Sequence, residues 1–207
     1  MKFCGLTRSQ DVEMANELKP DYVGFVFFPG SKRYISPERA GQLKRKLCPE
    51  IKAVGVFVNE ELEIVADLLE NGTIDMAQLH GKEDEAYIKK LRQLTNRPIL
   101  QAFRVDTEED IRQAEQSTAD FILLDSGAGG TGITFDWNLL KHVSCPYFLA
   151  GGLGVHNIKS ALEMLHPFGV DVSSGIEENG VKDPIKMQMF AELVRDFDKL
   201  TECDFDK

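Results

Sequence analysis

Two residues suited to acid–base chemistry stand at the ends of short apolar segments. Cys4 ends segment 2–4, and Asp125 ends segment 121–125. A thiol in a positively charged environment ionises and can act as a nucleophile or a base. Apolar surroundings disfavour the charged form of a carboxyl group and suit it to donating a proton. The pair therefore predicts proton transfer at a shared site, whereas the simpler alternatives are a buried structural cysteine and a loop-capping aspartate.

Glycine and serine residues in two later loops indicate an anion-binding site. Gly151 and Gly152 precede a predicted helix, and Ser173, Ser174 and Gly175 follow the last apolar segment. Glycine allows backbone N–H groups to approach an anion, a helix N-terminus adds partial positive charge, and serine hydroxyls add donors. We expect the two clusters together to bind phosphate, although each cluster alone is also compatible with a simple chain turn.

Two further side chains are candidates for the same site. Arg33 lies in a polar loop, where its guanidinium can hold a carboxylate through two hydrogen bonds or remain a solvated loop charge. His80 follows the fourth apolar segment and is expected to line the site. The histidines, cysteines and acids of the chain do not have the spacing of a metal site, so we expect no metal ion.

The segment 127–132 matches the dinucleotide-binding pattern G-x-G-x-x-G. We expect it not to bind a dinucleotide, because no helix begins at its third glycine and no acid ends the next strand, 147–150. A mobile lid over a bound ligand is a better interpretation of this loop.

Eight β-branched or aromatic segments alternate with stretches of helical periodicity, a pattern typical of strand–helix units around a parallel sheet. The segments are 2–4, 22–27, 53–58, 76–79, 99–103, 121–125, 147–150 and 170–173. Eight evenly spaced units in 207 residues favour an α/β fold of the (β/α)8 TIM-barrel class over an open doubly wound sheet. We expect a single domain over residues 1–200 and a frayed C-terminal tail over residues 201–207.

The predicted barrel explains why the candidate residues belong together. In TIM barrels the chemistry collects at the carboxyl ends of the strands, and the seventh and eighth loops commonly hold phosphate. Among the helices, Ser36-Pro37 and Asp183-Pro184 are typical starts, whereas the sixth helix, at 137–142, has the shortest pattern.

The composition restricts the partners and the location of the protein. The 24 Lys and Arg residues and 34 Asp and Glu residues give a formal net charge of −10, which disfavours nucleic acid as a partner. The apolar runs are too short to span a bilayer and no leader opens the chain, so we expect no membrane association and a cytoplasmic location. The four cysteines are too sparse for a disulfide scaffold and fit free thiols in a reducing compartment.

Nine segments, in order along nearly the whole chain, resemble the phosphoribosylanthranilate isomerases, which are single-domain barrels of tryptophan biosynthesis. The segments are 2–7, 23–27, 31–37, 54–59, 78–81, 123–126, 129–132 with 135–137, 150–153 and 170–175. The resemblance implies an Amadori rearrangement of N-(5-phosphoribosyl)anthranilate to 1-(2-carboxyphenylamino)-1-deoxyribulose 5-phosphate, without a cofactor or metal. The partner would then be a small phosphosugar substrate, and the enzyme a monomer or a homodimer.

The same resemblance implies roles for the candidate residues. Asp125 would be the general acid that protonates the furanose ring oxygen, and Cys4 the general base that removes the proton from C2. Arg33 would hold the anthranilate carboxylate, while Asp171 and His80 match positions near the substrate without an assigned chemical step. The phosphate would be held by Gly152, Ser173, Ser174 and Gly175.

Two alternatives remain open from the sequence. A sister phosphosugar barrel is the first, but the isomerase of histidine biosynthesis uses aspartates at the ends of strands one and five, where this chain has Cys4 and no acid near Arg104. Indole-glycerol-phosphate synthase relies on lysines at the barrel mouth, and no lysine ends a predicted strand here. The second alternative is a barrel that binds a phosphorylated metabolite without turnover, which only an activity measurement excludes.

Overall fold

Eight parallel strands form a closed barrel in which each strand pairs with its neighbours in chain order and the eighth pairs with the first. The computed structural model describes residues 1–125 and 137–205, with side chains through residue 199. The strands are β1 (Lys2–Cys4), β2 (Tyr22–Val26), β3 (Lys52–Phe57), β4 (Met76–Leu79), β5 (Ile99–Arg104), β6 (Phe121–Asp125), β7 (Tyr147–Leu149) and β8 (Gly169–Val172). The predicted TIM-barrel class is confirmed: three strands have the predicted bounds, and the bounds of the other five differ by one residue at one or both ends.

Helices follow the strands and cover the outside of the barrel. They are α1 (Ser9–Leu18), α2 (Pro37–Lys44), α3 (Leu62–Glu70), α4 (Glu85–Leu94), α5 (Glu108–Glu115), α6 (Ile158–Leu165) and α7 (Pro184–Phe205). The weakly patterned segment between β6 and β7 forms a 3₁₀-helix, Trp137–His142, rather than an α-helix. Such short runs are commonly 3₁₀-helical because too few residues are available to build a regular α-helix. None of the described helices has the length and apolar character needed to span a bilayer.

Local sequence signals fix several helix starts. The Ser36 hydroxyl accepts a hydrogen bond from the backbone N–H of Arg39, and Pro37 occupies the first helical position of α2. Before α7, the Asp183 carboxylate accepts from the backbone N–H of Lys186 at 2.8 Å. Each cap satisfies a backbone donor that the helix itself leaves without a partner.

The barrel interior is packed in layers that leave the polar residues at one end. An apolar cluster fills the middle of the barrel, and it includes Val54, Leu100, Leu123 and Phe148. A smaller cluster of Cys4 with Val26 and Val56 is separate from it. Because alternate residues of a strand point inward, these layers form a packed core beneath the carboxyl ends of the strands and not a pore.

A short hairpin between β8 and α7 was not predicted. Its strands, β9 (Glu177–Glu178) and β10 (Val181–Lys182), are antiparallel and are joined by Asn179 and Gly180, both at positive φ. Asn-Gly is the sequence expected for a tight two-residue hairpin turn, because both positions tolerate this backbone conformation.

Two sequence predictions fall wholly or partly outside the described residues. The predicted lid, 127–132, lies outside the described residues. Helix α7 continues to Phe205, so it includes most of the expected tail 201–207, whose fraying stays a prediction.

Candidate active site

A cavity of about 380 Å³ opens at the carboxyl ends of the barrel strands. It brings together nearly all of the residues that the sequence analysis singled out. The lining includes Cys4, Arg33, His80, Asp125, Gly151, Gly152, Asp171, Ser173 and Ser174. Gly175 is described but does not line this cavity. With Val56 and Val58 at the end of β3, residues from seven of the eight strand ends or following loops face one volume, large enough for a small ligand.

The Asp125 carboxyl group contacts the imidazole of His80 at the mouth of the barrel. Its side chain is 13% exposed, and its Oδ2 atom lies 3.3 Å from Nε2 of His80. Nδ1 of the same imidazole lies 2.9 Å from the side-chain amide nitrogen of Gln78. If the Gln78 amide donates to Nδ1, the ring proton of a neutral imidazole lies on Nε2, the atom that faces Asp125. The second carboxylate oxygen, Oδ1, is buried and has no hydrogen-bond partner among the described residues.

Cys4 lies in a buried position next to charged groups. The residue is 8% exposed, and burial is the main cause that raises the pKa of its thiol. The ammonium groups of Lys2 and Lys182 oppose this rise, whereas the Asp171 carboxylate adds to it. Lys2 is itself fully buried, with Nζ 2.9 Å from Oδ1 of Asp171. The thiol therefore combines poor hydration, which favours its neutral form, with two nearby cations, which favour thiolate.

Arg33 is not a solvated loop charge. Its Nε and Nη2 atoms donate to the two carboxylate oxygens of Glu177 at 2.7 and 2.8 Å, a bidentate pair. Glu177 also accepts from Nζ of Lys182 at 2.6 Å. Burial alone would raise the pKa of Glu177, but the hydrogen bonds from these two cations keep it below its ordinary value. The guanidinium is therefore fixed in direction, with one of its nitrogens, Nη1, not used by Glu177.

Glu177 and Lys182 were missed by the sequence analysis. Both lie on the hairpin β9–β10, whose Asn-Gly turn was the available signal. Lys182 is buried, and burial is the main cause that lowers its pKa. Its ammonium also donates to the backbone carbonyl of Ser173 at 2.9 Å. The hairpin thus connects the Arg33 loop to the end of β8.

The predicted phosphate loops lie against each other. Gly151 and Gly152 adopt φ values of 86° and 63°, a conformation that favours glycine. Gly154 and Gly175 form a bridge between the two loops, and a Cβ atom on Gly175 would lie 1.9 Å from the carbonyl oxygen of Leu153. Glycine at 175 is therefore required by close backbone approach, whatever its relation to a ligand.

Some of the polar groups in these loops already have partners. The Ser173 hydroxyl donates to the backbone carbonyl of Cys4 at 3.0 Å, and the N–H of Gly154 donates to the Asn157 side chain at 2.9 Å. Within residues 1–125 and 137–199, no group of three or more His, Cys, Asp or Glu side chains has an arrangement that could hold a metal ion. The arrangement as a whole offers two carboxyl groups, those of Asp125 and Asp171, together with one thiol and a glycine-rich rim around the same cavity.

Comparison with known proteins gives consistent matches over nearly the whole chain. The profile of the family described as N-(5'phosphoribosyl)anthranilate (PRA) isomerase matches residues 1–193. A curated protein of Endomicrobium trichonymphae, named N-(5'-phosphoribosyl)anthranilate isomerase, is 44% identical over 199 residues, which cover 94% of this chain and 98% of the relative.

Two solved structures are similar in both sequence and fold. A phosphoribosyl anthranilate isomerase in complex with reduced 1-(o-carboxyphenylamino)-1-deoxyribulose 5-phosphate is 38% identical, with a TM-score of 0.83 and coverage of 94% of this chain and 97% of that chain. Monomers generated from the dimeric phosphoribosylanthranilate isomerase of Thermotoga maritima are 38% identical, with a TM-score of 0.82 and the same coverage, 94% and 97%.

Proposed function

This chain belongs to the N-(5'-phosphoribosyl)anthranilate isomerase family, and from that premise we propose which of its residues carry out the isomerisation. The enzyme acts in tryptophan biosynthesis and catalyses the Amadori rearrangement of N-(5-phosphoribosyl)anthranilate to 1-(2-carboxyphenylamino)-1-deoxyribulose 5-phosphate. One observation carries the assignment of roles: Cys4 and Asp125 line the same cavity from different strands. The reaction needs a proton donor and a proton acceptor at a substrate held between them.

Asp125 is the general acid in this proposal. It protonates the furanose ring oxygen, which breaks the bond between that oxygen and C1 and leaves a protonated imine at C1. We assign the transferred proton to Oδ1, which has no hydrogen-bond partner among the residues that the structure describes, because Oδ2 interacts with His80. The 3.3 Å contact of Oδ2 with Nε2 of His80 restricts the orientation of the carboxyl group and supports the assignment.

Cys4 is the general base. Its thiolate removes the proton from C2, which the adjacent protonated imine makes acidic, and an enolamine forms. The enolamine takes a proton at C1 and loses the hydroxyl proton at C2, which gives the ketone product. The fraction of reactive thiolate increases with pH. Burial raises the pKa of the Cys4 thiol and so lowers this fraction at a given pH, whereas the nearby ammonium groups of Lys2 and Lys182 increase it.

The two ends of the substrate are held by opposite parts of the rim. Arg33 holds the anthranilate carboxylate through Nη1, the nitrogen that Glu177 leaves unused. Asp171 and His80 contact the sugar region without a chemical step of their own. The phosphate is bound by the seventh and eighth loops, through Gly151, Gly152, Ser173, Ser174 and Gly175. The solved relative that holds a reduced form of the product supports these assignments, because its fold matches this one closely.

The test is to mix the purified protein with freshly generated phosphoribosylanthranilate and to follow the loss of its fluorescence. Cys4→Ala and Asp125→Ala are each expected to lower kcat by about 10²- to 10⁴-fold, the usual contribution of a general acid or base. Circular dichroism and thermal denaturation check that each variant is folded. Turnover close to that of the unmodified enzyme in either folded variant removes that residue from its proposed role.

The quaternary state and location belong to the same proposal. We expect a cytoplasmic enzyme that is a monomer or a homodimer; the Thermotoga maritima relative described as dimeric supports the homodimer. The three described cysteines are free thiols, in keeping with a reducing compartment. The net charge of −10 supports a small anionic substrate held by local donors and not a nucleic acid held by a basic surface. Sedimentation analysis distinguishes monomer from dimer.

A further inference from the structure

Lys2 is a buried cation that the proposed acid–base pair does not use. The residue is fully buried, and β1 pairs with β8 so that Lys2 lies directly opposite Asp171. Their side chains form an ion pair of 2.9 Å between Nζ and Oδ1. Lysine is almost never fully buried, and a buried ion pair is a weak source of stability because the loss of hydration offsets the attraction. The position of this pair therefore calls for another explanation.

The ion pair lies next to the cysteine of the site. Lys2 and Cys4 are two residues apart on β1, so both side chains point to the inside of the barrel, whereas Phe3 between them packs outward against Phe190 of α7. The Lys2 ammonium donates a hydrogen bond to the Asp171 carboxylate, and its charge also acts on the Cys4 thiol. One buried cation is thus paired with a fixed anion and lies on the same inward face of β1 as the sulfur atom.

The charged groups around the Cys4 sulfur have opposing effects on the ionisation of its thiol. The ammonium groups of Lys2 and Lys182 favour thiolate, and the Asp171 carboxylate and burial disfavour it. Arg33 also interacts with Cys4 electrostatically, from the loop after β2. Across the cavity stand two more titratable groups, those of His80 and Asp125. Among these cations, Lys2 is the one that lies on the same strand as Cys4 and on the same face of that strand.

We propose that Lys2 is a positioning residue that stabilises the thiolate of Cys4, and that Asp171 holds the Lys2 ammonium in place for this purpose. The proposal rests on the proposed function, in which Cys4 is the general base. Lys2 transfers no proton: its neighbours keep it charged while Cys4 accepts the proton from C2. Burial alone would lower the pKa of Lys2, but Asp171 and Cys4 together raise it.

The test measures the thiol directly, without turnover. In a background with Cys48→Ala, Cys145→Ala and Cys203→Ala, the rate of Cys4 alkylation by iodoacetamide is recorded against pH, and mass spectrometry identifies the modified residue. Lys2→Met is expected to move the alkylation profile about one pH unit upward, which lowers the rate near neutral pH about tenfold. Lys2→Arg keeps a cation at this position, and its profile is expected to stay close to that of the background protein.

A second comparison covers the case in which Lys2→Met, with an unpaired Asp171, fails to fold. Asp171→Asn is compared with the double variant Lys2→Met/Asp171→Asn, which leaves no unpaired charge at these two positions. The alkylation profile of the double variant is expected to lie at higher pH than the profile of Asp171→Asn. Identical profiles in both comparisons, or a shift in Lys2→Arg as large as in Lys2→Met, overturn the proposal.

The result is independent of the test of the proposed function. Activity retained in Cys4→Ala would remove Cys4 from the role of base, yet it would leave the alkylation profiles unchanged. Unshifted profiles would remove Lys2 from its positioning role, while the loss of activity in Cys4→Ala would still identify Cys4 as the base.

Discussion

Gly24 lies directly opposite Cys4 in the β1–β2 ladder, and the thiol occupies the space that a side chain at position 24 would fill. A Cβ atom on Gly24 would lie 2.7 Å from the sulfur and 3.1 Å from the Cα atom of Cys4. The first distance is too short for any contact, and the second involves backbone that cannot move easily. The position of the thiol therefore depends on a residue of another strand that has no functional group.

Gly24→Ala is expected to lower kcat at least tenfold and to destabilise the fold by about 1–3 kcal/mol, the usual cost of overpacking a core. Steady-state kinetics and urea denaturation measure the two effects. Gly41→Ala in α2 is the matched control, because the nearest atoms to its added Cβ lie at 3.6 and 3.9 Å. This control is expected to keep full activity and to gain stability by about 0.5–1 kcal/mol. Full activity in Gly24→Ala contradicts the dependence of the thiol's position on Gly24.

His80→Phe keeps a planar ring but removes the donor that contacts Asp125. Hydrogen bonds to charged groups contribute about 1.5–3 kcal/mol, so a fall in kcat of roughly tenfold or more is expected. His80→Gln retains an N–H donor of similar reach. Its kcat is expected to lie between the kcat of the unmodified enzyme and that of His80→Phe. Fluorescence-based turnover at saturating substrate measures the difference. Equal kcat values in all three proteins mean that His80 does not position the acid.

A ligand without the phosphate group is expected to bind about 100-fold more weakly. Two charge-assisted hydrogen bonds from the loops after β7 and β8 account for a difference of this size. The measurement compares reduced 1-(o-carboxyphenylamino)-1-deoxyribulose 5-phosphate with its dephosphorylated form as competitive inhibitors. Equal inhibition constants contradict the assignment of the phosphate site.

Glu177 predicts a pH dependence of stability. Its pKa in the folded protein lies below the ordinary value of 4.5, because Arg33 and Lys182 stabilise its charged form more than burial opposes it. Its contribution is therefore fully present above pH 4.5 and is lost as the pH falls through the lower, folded-state value. Urea denaturation of the unmodified protein and of Glu177→Gln is expected to show a difference at pH 7 that shrinks at acidic pH. A difference that stays constant down to pH 3 contradicts this account.

The sequence predicted the barrel because its determinants are local. Segments such as 121–125 are apolar, short and bounded by polar turns, so each strand could be recognised without its partners. The site residues at strand ends, Cys4 and Asp125 among them, followed from the barrel rule that chemistry collects at this end. The resemblance to a known family then supplied the substrate, which residue types and spacing alone do not specify.

The contacts between distant parts of the chain could not be predicted in the same way. Arg33 and Glu177 are separated by 144 positions, and no local pattern indicates that they form a bidentate pair. Gly175 was assigned to the phosphate from its residue type, but the structure gives it a packing reason, the close approach to Leu153. Composition identifies which groups can do chemistry, whereas their partners depend on the closed fold.

The closure of the barrel through Lys2 and Asp171 has a consequence for how the protein is made. The first strand emerges from the ribosome early, but its neighbour β8 begins only at Gly169, so a nascent chain with seven strands exposes the free edges of β1 and β7. Such edges are where incomplete chains associate wrongly. A polypeptide truncated before β8 would therefore lack half of the ion pair and would also be prone to aggregate, which makes the segment from Gly169 onward as necessary for solubility as for catalysis.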